Sequence, residues 1–405
     1  MNNDRRGTFA ALRHRNYRLW FTGQLTSLFG TWMQTTAQGF LVFELTRSPA
    51  YLGLVGFASG APTWLLTLYG GVVADRMPRA RLMTITQSFM MILAFVLAGL
   101  TFARVVQPWH VLVLASLLGV TNSFDAPARQ SFVSEMVPPE DLTNAIALNS
   151  MMFQAATVVG PAMAGVAYAL FGPGWCFTIN GISFIAVIAA LAAMRLPAFV
   201  PRRQPRSALE ELAEGSRYIR SQPTIRILIS MIAVSSMFGL SFGTLIPAWS
   251  VNVLGGGAAI NGLLFSARGA GALAGAFLIA ALGGRIMRGR MLIAGSLLWP
   301  LLFAALSQTR LLPLSLLILA GAGIGNIFVN NLSNALVQTA TPDRLRGRVM
   351  GAYTWIFFGF MPLGALWSGI LAGRIGEQRT VLINGGLAFV FAAAVALLYP
   401  RLREE

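Results

Sequence analysis

The chain is a succession of long apolar stretches, almost bare of charge, separated by short clusters of arginine. A helix needs about 20 residues to cross about 30 Å of hydrocarbon. Each stretch is of about that length. On that ruler the 405 residues parse into twelve spans, at 19–41, 51–72, 82–103, 108–128, 143–168, 173–194, 224–248, 259–282, 290–308, 311–334, 347–372 and 380–399. The composition excludes the alternatives. Charged residues are 11% of the chain and hydrophobic ones 56%, against about 25% charged in a soluble protein. A soluble fold of this length would lack polar surface to cover its core. The 27 Phe and 9 Trp argue equally against disorder.

Topology follows from arginine, because basic residues accumulate in cytoplasmic loops. With a cytoplasmic N-terminus, 24 arginines fall inside and 5 outside (Arg47, Arg104, Arg310, Arg374 and Arg379), leaving Arg268 within a span. The expected protein is all-α and multi-pass, with both termini cytoplasmic. The first apolar run has no small-residue cleavage site and reads as a span rather than a signal peptide. A net charge of +16 would ordinarily suggest nucleic acid. The arginines instead flank bare apolar runs, so the expected partner is membrane lipid and no nucleic acid is expected.

The longest connection, 195–223, lies at the centre. Leu209, Leu212, Ser216 and Ile219 recur at helical spacing among Glu210, Glu211, Glu214, Arg217 and Arg220. This predicts an amphipathic helix on the inner membrane face. It divides the chain into a six-span bundle at 1–194 and another at 224–405. The halves echo each other. Val137-Pro138-Pro139-Glu140-Asp141-Leu142 precedes the fifth span, and Ala340-Thr341-Pro342-Asp343-Arg344-Leu345 precedes the eleventh. Gly70-Gly71 follows the second span, and Gly283-Gly284 follows the eighth. Two related bundles imply a site between them and alternating access to it.

Several functions are excluded. His14, His110 and Cys176 are too few and scattered to bind a metal. A lone cysteine allows no intramolecular disulfide. There is no GxxxxGK nucleotide loop. Neither enzymatic chemistry nor a cofactor is expected.

At this point the chain resembles the major facilitator superfamily. The resemblance rests on Gly70 to Arg81, which is similar to that family's inner loop between the second and third spans. It extends over span number and central loop. The segments Leu12 to Trp20 and Asp125 to Gln130 resemble the bacterial exporter branch that includes the enterobactin exporter and macrolide efflux proteins. The resemblance implies a monomeric secondary transporter of the bacterial inner membrane. It would export a small amphiphilic, drug-like or siderophore-like molecule by proton antiport. Import of a small nutrient and lipid or amphiphile flipping without protons are the alternatives.

Site residues follow. Gly70, Gly71, Asp75, Arg76, Arg79 and Arg81 form the expected inner gate, joined by Asp125 and Arg129 near the inner end of the fourth span. Asp75 is expected to cap the next helix or to pair across the bundle interface. Asp125 and Arg129, four apart, share a helix face. Asp125 and Glu44 are the candidate proton carriers; Glu44 has Arg47 as a possible surface partner. Gly160, Pro161 and Gly165 resemble the end of the antiporter motif of drug/proton exchangers and predict a kink. Arg268 lies deep in the eighth span, where charge is costly and faces a cavity. The stripe Gln24, Ser27, Thr31, Gln34 and Gln38 runs down the first span. Gln34, Gln38, Asn180, Asn330 and Trp355 are expected, with Arg268, to line the substrate path.

Overall fold

The computed structural model describes residues 9–196, 208–282 and 286–403. Among these there are helices and no strands. The first half holds α1 (Arg15–Thr46), α2 (Pro49–Arg76), α3 (Arg79–Phe102), α4 (Pro108–Phe132), α5 (Leu142–Phe171) and α6 (Pro173–Ala193). A connecting helix, α7 (Ala208–Ser221), follows. The seventh crossing, Pro223–Val253, is composite. It runs as α8 (Pro223–Val234), a π-helical turn at Ser235–Leu240, α9 (Phe242–Ala248) and a second π turn at Trp249–Val253. The second half continues with α10 (Ala258–Leu282), α11 (Arg288–Gln308), α12 (Leu312–Ala340), α13 (Asp343–Ile375) and α14 (Glu377–Leu398).

Eleven crossings are long and apolar enough to span a membrane by length and composition alone. α1 is the twelfth by position. Its 32 residues exceed the length required, but its glutamines, threonines and serines dilute its hydropathy. Several helices also overrun the limits expected from sequence, α13 reaching 33 residues. Helical hydrogen bonding continues past the hydrocarbon boundary wherever nothing breaks it.

Local chemistry sets the ends. Pro49, Pro108, Pro173 and Pro223 open α2, α4, α6 and α8, where a missing N–H costs nothing. Ser48 caps α2 by accepting from the Tyr51 amide at 3.3 Å. Gly172 (φ 85°) turns α5 into α6, and Gly376 (φ 86°) turns α13 into α14. These glycines occupy equivalent places in the two halves, and both adopt a backbone that side chains disfavour. They supply internal symmetry among the described residues, whereas Gly283, Gly284 and Arg285 of the expected repeat lie outside them.

Within the first half α1 packs on α5 and α6, α2 on α4, and α3 on α4 and α6; within the second, α12 packs on α10 and α11, and α14 on α11. The halves meet chiefly through α2 with α13 and α5 with α10. This contact lies toward the face opposite the arginine clusters, here termed the far face. A Cβ on Gly53 would stand 2.6 Å from the Ala365 carbonyl oxygen, and Gly60 faces the Pro362 ring. The Ser266 hydroxyl donates to the Val158 carbonyl at 2.7 Å. Near mid-helix the rings of Trp64 and Trp355 meet at 5.1 Å. Beyond that pair, toward the basic face, Gly71 on α2 and Gly347 and Gly351 on α13 look onto open space. The close glycine contacts between the halves thus gather at the far face, and these three glycines of the basic one meet no neighbour among the described residues.

Candidate functional site

The α2–α3 connection carries the expected gate. Arg79, in the first turn of α3, lies 3.7 Å from Asp75 and pairs with Glu135 just after α4. Both links stay inside the first half, so the cluster clamps three of its segments together. Arg76 and Arg81 are exposed beside it. Gly70 packs onto the Ser123 backbone of α4, while Gly71 looks onto open space. Glu135, which closes the cluster, carries no local sequence signal.

Asp125 is 2% exposed. Its Oδ1 accepts from the Thr86 hydroxyl at 2.8 Å and from the Gln87 amide at 3.0 Å, both on α3. Arg129 stands one turn away, its Nε 3.9 Å from Oδ2. The Thr86 hydroxyl also reaches the Met83 carbonyl at 3.0 Å. Having one proton, it can serve only one of these acceptors at a time.

Glu44 is exposed at the far end of α1 and accepts from the Tyr168 hydroxyl of α5, with no ion pair to Arg47 among the described residues. Asn180 donates to Gln34 at 2.7 Å, with Asn180 2% and Gln34 7% exposed. That pair holds α6 to α1 inside the first half. The structure sets these two residues, expected on the substrate path, at the α1–α6 contact, since an amide in lipid is satisfied as well by a neighbouring helix as by a cavity. Gln24 and Ser27 are buried too, leaving Thr31 and Gln38 as the partly exposed members of the stripe.

Gly160, Pro161 and Gly165 lie in α5, which remains α-helical throughout. They form a packing surface. Gly160 receives Trp32 of α1, while Gly165 and the Pro161 carbonyl abut Gly262 of α10. In the second half Asn326 donates to the Ser235 hydroxyl at 3.2 Å, and Asn330 donates to Asn326 Oδ1 at 2.8 Å. Asn330 is partly exposed, as are Trp355 and Arg268. Arg268 donates to the carbonyls of Gly239 at 3.2 Å and Leu240 at 3.4 Å. Both carbonyls belong to the first π turn of the seventh crossing. No carboxylate forms an ion pair with Arg268 among the described residues.

Sequence comparison decides the family. Residues 6–405 match the family described as transmembrane secretion effectors. The chain belongs to this family of major facilitator transporters. It is 23% identical to the staphyloferrin A transporter of Staphylococcus aureus, over 91% of this chain and 92% of the relative. It is 26% identical to the multidrug efflux pump Tap of Mycolicibacterium fortuitum, over 94% of each. Among solved structures, a bacterial homologue of the human lysosomal transporter Spinster, inward-facing and occupied, superposes with a TM-score of 0.76 at 14% identity, over 96% of this chain and 98% of that one. The nucleoside transporter NupG superposes with a TM-score of 0.70 at 17% identity, over 95% and 98%. These structures share the fold. The transporter is a multi-pass membrane protein that moves small molecules, and it is not an enzyme.

Proposed function

We propose that this transporter exports a small amphiphilic molecule from the cytoplasm in exchange for protons. The basic face is taken as cytoplasmic, as the arginine bias requires. The observation carrying the reading is the asymmetric seal, closed by α2–α13 and α5–α10 at the far face, with Gly71, Gly347 and Gly351 looking onto open space beyond Trp64 and Trp355. A substrate enters from the cytoplasm, and rocking of the two halves releases it on the other side.

Asp125 is the proton site in this reading. It is buried near the cytoplasmic end of α4 and has neutral donors in place. Glu44, exposed at the far end, is a secondary candidate at most. One relative's name, a multidrug efflux pump, supports export, and the other's, a staphyloferrin A transporter, supports a small-molecule cargo. The chain is proposed to act as a monomer.

The test uses everted membrane vesicles carrying the transporter and a panel of fluorescent amphiphiles. Energised vesicles should concentrate at least one compound, and nigericin should abolish that uptake by collapsing the pH difference. Accumulation that survives nigericin would reject proton antiport. Accumulation only in right-side-out vesicles would reject export.

A further inference from the structure

We infer that the substrate carries an anionic group, a carboxylate or phosphate, which docks on Arg268 halfway across the membrane. The inference rests on the transport reading and names the substrate class. Arg268 lies ten residues into α10. At 1.5 Å per residue that is about 15 Å, near the middle of about 30 Å of hydrocarbon. Its guanidinium is permanently charged. Its recorded partners are two neutral carbonyls, at 3.2 and 3.4 Å. Charge-assisted bonds are shorter, about 2.7–2.9 Å. The carbonyls orient the group without neutralising it, and they leave donors of its five N–H groups free.

Among the described residues no acidic side chain forms an ion pair with it. Asp125 is held by Thr86 and Gln87 in the other half. Glu44 and Glu377 lie at helix ends, engaged by Tyr168 and Asn252. Asp75, Glu135, Asp141, Glu214 and Asp343 belong to the α2–α3, α4–α5, α7 and α12–α13 connections at the basic face. Gly243 lets the seventh crossing approach the charge closely. A Cβ on Gly243 of α9 would stand 3.2 Å from the Arg268 Nη1 atom. A partly exposed fixed cation at mid-depth, anchored but not neutralised, and flanked by a residue without a side chain, is a place for an anion arriving from the path.

The experiment reads binding separately from transport. Purified transporter in nanodiscs is titrated with three probes sharing one fluorophore: dansylglycine, its neutral amide, and cationic dansyl-ethylenediamine. The carboxylate should bind about tenfold more tightly than the amide, the scale of one charge-assisted bond. Arg268→Gln should erase that difference, and Arg268→Lys should retain part of it. Gly243→Asp installs an internal counter-ion. It should remove the preference for the carboxylate and melt at a higher temperature than Gly243→Asn, its uncharged isostere. A carboxylate that binds no tighter than the amide, absence of binding included, overturns the inference. So does a preference that survives in Arg268→Gln, or a Gly243→Asp variant no more stable than Gly243→Asn. The two readings fail differently. A preference for the carboxylate with no energised movement in vesicles would retain the site and sink the transport reading. Equal energised uptake of carboxylate and amide would do the reverse.

Discussion

Asp125→Asn is the substitution that separates proton carriage from structure. The carboxylate makes two bonds through one oxygen, from Thr86 at 2.8 Å and Gln87 at 3.0 Å. An asparagine places its amide oxygen there and keeps both. Its amide nitrogen then replaces the oxygen that stands 3.9 Å from Arg129, a distance already too long for a hydrogen bond. The expected loss of stability is therefore small, within about 1 kcal/mol. Asp125→Ala differs. The Thr86 hydroxyl can turn to Met83, but the Gln87 amide is stranded in a buried site, at a cost of about 1–3 kcal/mol. The assay pairs thermal melting with efflux in vesicles, measured with and without a pH difference. Asp125→Asn should melt close to the wild type, still equilibrate substrate down its gradient, and show no stimulation by the pH difference. Asp125→Ala should lose the stimulation and also melt lower. A normally folded Asp125→Asn transporter that remains stimulated by the pH difference would refute the assignment. A melting temperature as low as that of Asp125→Ala would refute the bonding argument.

Three further outcomes follow from the packing. Gly53→Val should wedge open the far face, because its Cβ would stand 2.6 Å from the Ala365 carbonyl oxygen; labelling of a cysteine placed at that face by an impermeant maleimide should quicken, and unchanged labelling would show that the seal adapts. Asn180→Leu removes a 2.7 Å bond and leaves Gln34 unpaired in a buried site; it should destabilise by about 1–3 kcal/mol while leaving KM for transport unchanged, and a raised KM would return both residues to the substrate path. Arg348→Ala breaks the pair with Glu214, whose side chain is 40% exposed; the stability loss should stay below about 1 kcal/mol, yet limited proteolysis near α7 should accelerate.

The crossings were legible because lipid allows few solutions: long bare runs must be helices, and arginine marks their ends. The site was legible only where a residue type is costly in itself. Arg268 and Asp125 stood out on those grounds. Their partners did not, since Thr86 and Gln87 lie on another helix and the carbonyls of Gly239 and Leu240 are freed by a π turn that no residue pattern announced. Helical spacing made Gln24, Ser27, Thr31, Gln34 and Gln38 one face. It could not say whether α6 or the central path would meet each of them. Glu44 illustrates the same gap, its neighbour in sequence being Arg47 and its partner in space Tyr168.

The distribution of polar contacts explains how such a molecule could move. The ion pairs formed between described residues at His14, Arg79, Arg129 and Arg346 each lie within one half, and that of Arg348 ties α7 to α13. Across the seal the polar contacts recorded are Ser266 to Val158 at 2.7 Å and Asn261 to the Thr36 carbonyl at 3.5 Å, the second barely a bond. The remainder is apolar packing: glycine against backbone, as at Gly53 and Gly369, and Gly165 and Gly262, with Gly60 on the Pro362 ring and Trp64 on Trp355. Such contacts are many and individually tiny, so they separate without stranding a charge or a strong donor. Polar bonds buried within each half, including Asn180 to Gln34 and Asn326 to Ser235, would each leave an unpaired group in lipid if broken. The least costly deformation is therefore a rocking of two rigid bundles across a glycine seam, with the bundles themselves unchanged. Closing the basic face must then bring Gly71 and Gly347 from open space into contact, and a bulky side chain at either should hold the transporter open to the cytoplasm.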